Sequence, residues 1–157
     1  FMTTTAYSQE ENIKQSTIDF LSTLNRAERD SLTFQFDDLN RTKWTNLPIG
    51  LADRPGLRYG TLSIESKIKF HNLLLTIFSS QGYLKTTQIM HLDGLLLNIY
   101  EIAHEEGDVN EEDIKLIRTL NWGQGNYFIS IWGSPDKKGK WALKFEGHHI
   151  SINFSCN

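Results

Sequence analysis

The sequence predicts an α+β fold in which antiparallel helices come first and an antiparallel β hairpin follows. Apolar residues recur at helical spacing through the first two-thirds of the 157 residues. Aromatic and β-branched residues are then concentrated in residues 127–154, where apolar and polar positions alternate. The length favours one domain. We place that domain at residues 9–157, after a flexible N-terminal segment formed by residues 1–8.

Two helices are predicted near the N-terminus, over residues 9–24 and 26–32, because apolar residues there follow helical spacing with few breakers. The second is rich in charge and suits the protein surface. Residues 34–60 then contain two of the three prolines and three glycines, which indicates a long irregular segment. Segments of this length are uncommon in compact domains and are often functional.

Three more helices are predicted in the middle of the chain. Ser63 is a suitable N-cap for the first, and Gly82 is placed to end it. The second covers residues 84–105, and the short connection before it favours antiparallel packing. The third covers residues 111–120 with Asn110 as its N-cap. Helical spacing puts Ile64, Ile68, His71, Leu75 and Phe78 on one stripe of the first helix, and Ile89, Leu92, Leu96 and Ile99 on one stripe of the second.

A strand over residues 127–132 and a hairpin over residues 141–154 are predicted to complete the fold. If Gly147 and His148 are the central turn residues, glycine occupies the position that a type II′ turn requires. A slip of one residue would exchange the two faces of the hairpin. The apolar pairs are then Phe145–Ile150, Leu143–Ile152 and Trp141–Phe154, and the polar face carries Glu146–His149, Lys144–Ser151 and Ala142–Asn153.

The polar face of this hairpin is the main candidate for chemistry. A carboxylate opposite an imidazole can hold its tautomer, raise its pKa or share a metal ion with it, so Glu146 and His149 are the catalytic candidates. Ser151 and Asn153 are placed to bind substrate. With His148, the pair also offers ligands suited to zinc, iron or copper, although adjacent strand residues point to opposite faces. The structural alternative is a stabilising cross-strand pair.

The irregular segment adds Arg41, Trp44 and Arg54 as candidate substrate-binding residues. Guanidinium groups clamp carboxylates or phosphates, and a tryptophan beside them can stack on a flat ligand. The alternative is that Arg41 caps local carbonyls and Trp44 fills the core beneath the loop. His71, on an apolar helical stripe, is interpreted as a hydrogen-bonded core histidine.

Charge and composition narrow the range of partners. Sixteen Lys and Arg residues against nineteen Asp and Glu leave a net charge of −3, which argues against nucleic acid. A single cysteine, Cys156, excludes an internal disulfide framework. No signal peptide is visible, and the apolar stretches are shorter than the roughly 20 residues that span a bilayer. We therefore expect a cytoplasmic protein, without membrane contact, whose partners are small molecules or peptides.

Three stretches of the chain together resemble one uncharacterised family, the domain-of-unknown-function family 3500. They are residues 36–44 (FDDLNRTKW), residues 89–93 (IMHLD) and residues 141–154 (WALKFEGHHISINF). The E-G-H-H hairpin in the last stretch is similar to the signature of this family. The resemblance implies homology from about residue 20 onward and brings no established activity. It also implies that a second half follows the hairpin in other members.

Three functional hypotheses follow from these residues. In the first, the polar hairpin face is the site of an acid–base or metal-dependent enzyme, in a concave pocket joined to the irregular segment. In the second, the same pocket binds a ligand without chemistry, with Trp44 and Trp141 as aromatic anchors. In the third, the chain is a subunit or fragment whose edge strand is covered by a second polypeptide.

Overall fold

The structure, a computed structural model, describes residues 3–156. Residues 1 and 2 of the predicted flexible segment and residue 157 of the predicted domain lie outside the described residues. The α+β prediction is confirmed, with helices and a mixed sheet in the described chain. The helices are α1 (Thr3–Ser22), α2 (Arg26–Leu32), α3 (Ile64–Ile77), α4 (Ser80–Glu105) and α5 (Glu111–Thr119), and the strands are β1 (Thr33–Phe34), β2 (Leu57–Arg58), β3 (Phe128–Gly133), β4 (Trp141–Gly147) and β5 (Ile150–Cys156).

The sheet has the order β1-β3-β4-β5, and β2 also pairs with β3. Strands β3, β4 and β5 form an antiparallel meander, whereas β1 runs parallel to β3. The short strands β1 and β2 lie at the two ends of residues 35–56, which we call the covering segment. Because both strands pair with β3, the two ends of this irregular segment are fixed to the sheet.

The sheet is covered on both faces. One face contributes Ile129, Ile131 and Phe145 to the main apolar core, together with Phe20 of α1 and Phe70 of α3. The opposite face lies beneath the covering segment. Every residue of β4 is therefore buried, including the charged residues of that second face, Lys144 and Glu146.

The predicted hairpin register is wrong by two residues. In the structure Phe145 pairs with Ile152 and Glu146 pairs with Ser151, so the turn consists of His148 and His149. A shift of two residues keeps each side chain on its predicted face, and alternation therefore cannot detect it. Glycine is required at 147 because a Cβ there would clash with the Tyr127 ring, and His149 adopts the left-handed backbone of the turn with φ of 60°.

Three of the five residues on the predicted apolar stripe of α3 do not face the core. Ile64, Ile68 and Leu75 are exposed, and the helix packs through the face that carries Phe70 and Leu73. Apolar residues occur on both faces of this helix, so spacing alone selected the wrong one.

The predicted stop at Gly82 is also wrong, because Gly82 lies in the first turn of α4. Ser79 caps this helix by accepting a hydrogen bond from the Gly82 amide at 3.2 Å. Gly82 therefore does not end α3 but lies inside α4.

Locally encoded elements agree with prediction. Helix α2 has the predicted bounds, with Asn25 and Glu28 forming a reciprocal capping box. Asn110 caps α5 by accepting hydrogen bonds from backbone amides of the first turn of that helix.

Helix α1 begins at Thr3 and not at residue 9. Within residues 3–156, no helix is long and apolar enough to cross a membrane.

Candidate functional site

The hairpin turn brings a histidine against a helix that is distant in the sequence. His148 Nδ1 lies 2.6 Å from Oδ1 of Asp93 on α4. The backbone of the turn is fixed on both sides: the Tyr127 hydroxyl donates to the carbonyl of His148 at 3.0 Å, and the His149 amide donates to the carbonyl of Asn46 at 3.0 Å. The imidazole is therefore presented on a rigid support.

Asp93 is one of four buried charged residues in the described part of the chain, with Arg54, Lys144 and Glu146. Its second oxygen, Oδ2, accepts a hydrogen bond from the Gly123 amide at 3.1 Å. An ionised carboxylate only accepts hydrogen bonds, so the short contact to His148 places the imidazole proton on Nδ1. This leaves the lone pair of Nε2 free, and no hydrogen bond to that atom occurs among residues 3–156.

Two aromatic rings lie against the His148 ring. Trp122 lies nearly parallel to it, with ring centroids 6.1 Å apart and planes 11° apart. The His149 ring stacks against it with centroids 3.9 Å apart. The indole Nε1 of Trp122 is buried without a hydrogen-bond partner in the described chain. These contacts restrict the direction in which Nε2 points.

The Asp93–His148 pair lies beside an apolar groove along α4. The groove has a volume of about 430 Å³, within the range of small-molecule sites. Its polar groups come from the pair and the adjacent turn, while its walls are aliphatic. The lining residues are Ile89, Leu92, Asp93, Leu95, Leu96, Ile99, His148 and His149.

The structure does not assemble the predicted catalytic pair of Glu146 and His149. Glu146 pairs with Ser151 on the face beneath the covering segment, whereas His149 is exposed in the turn. The error has the same cause as the register error, since a shift of two residues replaces His149 with Ser151 opposite the carboxylate. Glu146 therefore does not join His148 and His149 as metal ligands. No group of three His, Cys, Asp or Glu side chains suited to a metal occurs in the described part of the chain.

Glu146 instead belongs to a buried charged cluster with a structural arrangement. Its Oε1 lies 4.0 Å from Nζ of Lys144, and the ammonium donates to the carbonyls of Asn40 and Lys43 in the covering segment. Burial raises the pKa of Glu146 and lowers the pKa of Lys144, because both charged forms lose hydration. The cluster ties the covering segment to the sheet.

The candidate binding residues of the covering segment have different environments. Arg41 Nε donates to the Phe36 carbonyl at 2.9 Å, in agreement with the alternative of a carbonyl cap. Arg54 is buried and donates to the carbonyls of Thr45, Leu47 and Ala52. Trp44 does not fill the core, since it is 67% exposed.

Two pockets lie between the covering segment and the sheet, where the hypotheses place a concave pocket. Trp44 lines both. One, of about 310 Å³, also contains Arg41 and Asn153. The other, of about 370 Å³, contains Arg54 and Glu146. Ser151 lies on the same face, and its hydroxyl is buried without a partner among the described residues.

Sequence reasoning missed Asp93 and Trp122 as site residues. Asp93 stands out as a carboxylate beside an otherwise aliphatic stripe of α4, and a buried carboxylate requires a partner. The Trp122 ring and the Gly123 amide come from residues 121–125, which join α5 to β3. The types of these residues could have indicated a site, but their spacing along the sequence could not.

Fold and site together define an α+β domain with a histidine–aspartate pair beside an apolar groove along α4. The chain belongs to the family described as "Protein of unknown function (DUF3500)", whose sequence profile matches residues 6–157. No curated protein and no solved structure is detectably similar to the chain.

Proposed function

We propose that this protein binds a small molecule with an apolar portion in the α4 groove and exchanges a proton with it through His148. The contact of 2.6 Å between His148 Nδ1 and the buried Asp93 carboxylate carries the proposal. It directs the basic lone pair of the imidazole to Nε2, while the adjacent groove supplies an apolar surface for the ligand.

The proposed chemistry is general acid–base catalysis. Nε2 accepts a proton from an O–H or N–H group of the ligand, or from a water molecule beside it, and later returns it. The Asp93 carboxylate orients the ring and stabilises the imidazolium that forms. The Gly123 amide keeps the carboxylate in place through its other oxygen. Binding without proton transfer is the alternative that the experiments below distinguish.

The tautomer of His148 is the most direct test, because it requires no known substrate. Nitrogen-15 NMR at pH 8 should show a protonated Nδ1 and an unprotonated Nε2 in His148. Asp93→Asn removes the charged acceptor and should shift the population toward the Nε2–H tautomer. Exposed His91, on the same helix, is the internal control and should not change. A wild-type His148 that already carries its proton on Nε2 would contradict the proposed role.

Turnover can be tested with p-nitrophenyl esters of increasing acyl length. We expect hydrolysis to increase from acetate to octanoate, since the longer chain buries more apolar surface in the groove. His148→Gln should lower the rate by about 100-fold or more, in the range of general-base contributions. Saturable binding of the octanoate ester with equal turnover in both proteins would instead favour a non-catalytic binding module.

A further inference from the structure

The C-terminal half of α4 exposes a row of large aliphatic residues. After Asp93, no residue of the helix is buried in the described protein. Leu92, Leu95, Ile99 and Ile102 are exposed to 62%, 39%, 58% and 54%. Their spacing of three, four and three residues is the apolar repeat of two helices that pack side by side. A contiguous exposed apolar patch of this kind marks an interaction surface.

We propose that a second copy of this chain covers this surface, with the two α4 helices packed antiparallel about a two-fold axis. In this arrangement Leu92 lies opposite Ile102 of the other copy, and Leu95 lies opposite Ile99. The same pairs recur on the other side of the axis, so the row is complementary to itself, as a two-fold interface requires. A single contact between the two α4 helices therefore covers all four residues.

Charge along α4 favours the antiparallel orientation. Lys85 lies near the N-terminus of the helix, whereas Glu105 and Glu106 lie at its C-terminal end. Glu101 is already paired with Arg118 of α5, with Nε–Oε1 and Nη2–Oε2 distances of 2.8 and 2.6 Å. Antiparallel packing brings Lys85 of one copy within about one turn of Glu106 of the other. Parallel packing would instead place like charges together.

The pairing would also change the candidate site. Leu92, Leu95 and Ile99 line the groove beside His148, so the helix of the second copy would lie along the open side of that groove. Closure would exclude water from the Asp93–His148 pair and strengthen its electrostatic interactions. The pairing itself does not depend on proton transfer at His148.

The oligomeric state in solution tests the interface. Sedimentation velocity between 1 and 100 µM should show the wild-type protein as a dimer and the Leu95→Glu/Ile99→Glu variant as a monomer. Leu75→Glu replaces an exposed leucine on α3 and should remain dimeric. Far-UV circular dichroism verifies that each variant is folded. A monomeric wild type at 100 µM would overturn the proposal, as would a double variant that remains dimeric.

A charge-swap experiment tests the orientation. Lys85→Glu and Glu106→Lys should each weaken the dimer by about fivefold, in line with two symmetry-related surface ion pairs, and the combined variant should regain the wild-type dissociation constant. A combined variant weaker than either single variant would exclude the antiparallel arrangement. The tautomer of His148 is measured in the wild-type protein and the oligomeric state in the interface variants, so failure of the interface and failure of the proposed function remain distinguishable.

Discussion

His71 lies between two tyrosine hydroxyls. Its Nε2 is 2.9 Å from the Tyr59 hydroxyl, and its Nδ1 is 2.9 Å from the Tyr83 hydroxyl. A neutral imidazole has one donor and one acceptor, so one tyrosine accepts a hydrogen bond and the other donates one. Burial lowers the pKa of His71, because the charged ring would lose hydration. The predicted hydrogen bonding of His71 is confirmed, but the residue is half-buried and not fully inside the core.

This depressed pKa gives a pH dependence with a defined sign. The unfolded state binds more protons than the folded state between the ordinary histidine pKa of about 6.5 and the lower folded pKa of His71. The free energy of unfolding therefore decreases as the pH falls through that window. Urea unfolding should show that His71→Gln costs about 1–2 kcal/mol at pH 8 and progressively less at pH 6 and 5. Parallel pH profiles of the two proteins would contradict this prediction.

Gly147 is required by a close approach and not by the turn that the sequence predicted. A Cβ at this position would overlap the Tyr127 ring, so Gly147→Ala should destabilise the protein by about 2–3 kcal/mol. In a Tyr127→Ala background the extra cost of Gly147→Ala should nearly vanish. If chemical denaturation shows the same cost in both backgrounds, glycine is needed there for its backbone conformation.

At the scale of helices and strands, an element is predictable when the residues that define it lie close together in the sequence. The bounds of α2 and the N-cap of α5 depend on side chains within one helical turn, and the sequence predicts both. The buried face of α3 depends on the sheet, because apolar residues occur on both of its faces. In the observed register of β4 and β5, Gly147 lies against the Tyr127 ring, and spacing within the hairpin does not contain this contact.

Helix α4 contains a replaceable glycine. Gly94 lies in the middle of the helix, and a Cβ there would meet Gln124 at 3.4 Å, an ordinary packing distance. Gly94→Ala should therefore stabilise the protein by about 0.5–1 kcal/mol through helix propensity. Gly107→Ala is the matched control and should destabilise it, because Gly107 has a φ of +86°. Loss of stability in both variants on thermal unfolding would show that residue 124 cannot adjust.

At the scale of the whole molecule, the candidate site was not predictable from local pattern. His148 and Asp93 are 55 residues apart, and their contact depends on how the hairpin turn meets α4. The sequence did indicate the E-G-H-H turn and the irregular segment as the unusual parts of the chain. It assigned the carboxylate partner to Glu146, whereas the fold buries Glu146 beneath the covering segment and supplies Asp93.

The covering segment depends on the buried pair of Lys144 and Glu146. Lys144 is the link, since its ammonium bonds to the Asn40 and Lys43 carbonyls and lies near the Glu146 carboxylate. Lys144→Met keeps the length of the side chain but removes the ammonium group beside the buried Glu146 carboxylate. We expect a loss of about 3–5 kcal/mol, the usual cost of breaking a buried ion pair from one side.

Removing the carboxylate charge as well should recover part of that loss. The double variant Lys144→Met/Glu146→Gln should be less destabilised than the sum of the two single variants, because it also removes the carboxylate charge that Lys144→Met leaves without its ammonium partner. Limited trypsin digestion at Lys43 should be accelerated in Lys144→Met, since the carbonyls of the covering segment lose their anchor. Additive unfolding free energies, together with unchanged cleavage at Lys43, would mean that strands β1 and β2 alone hold the segment on the sheet.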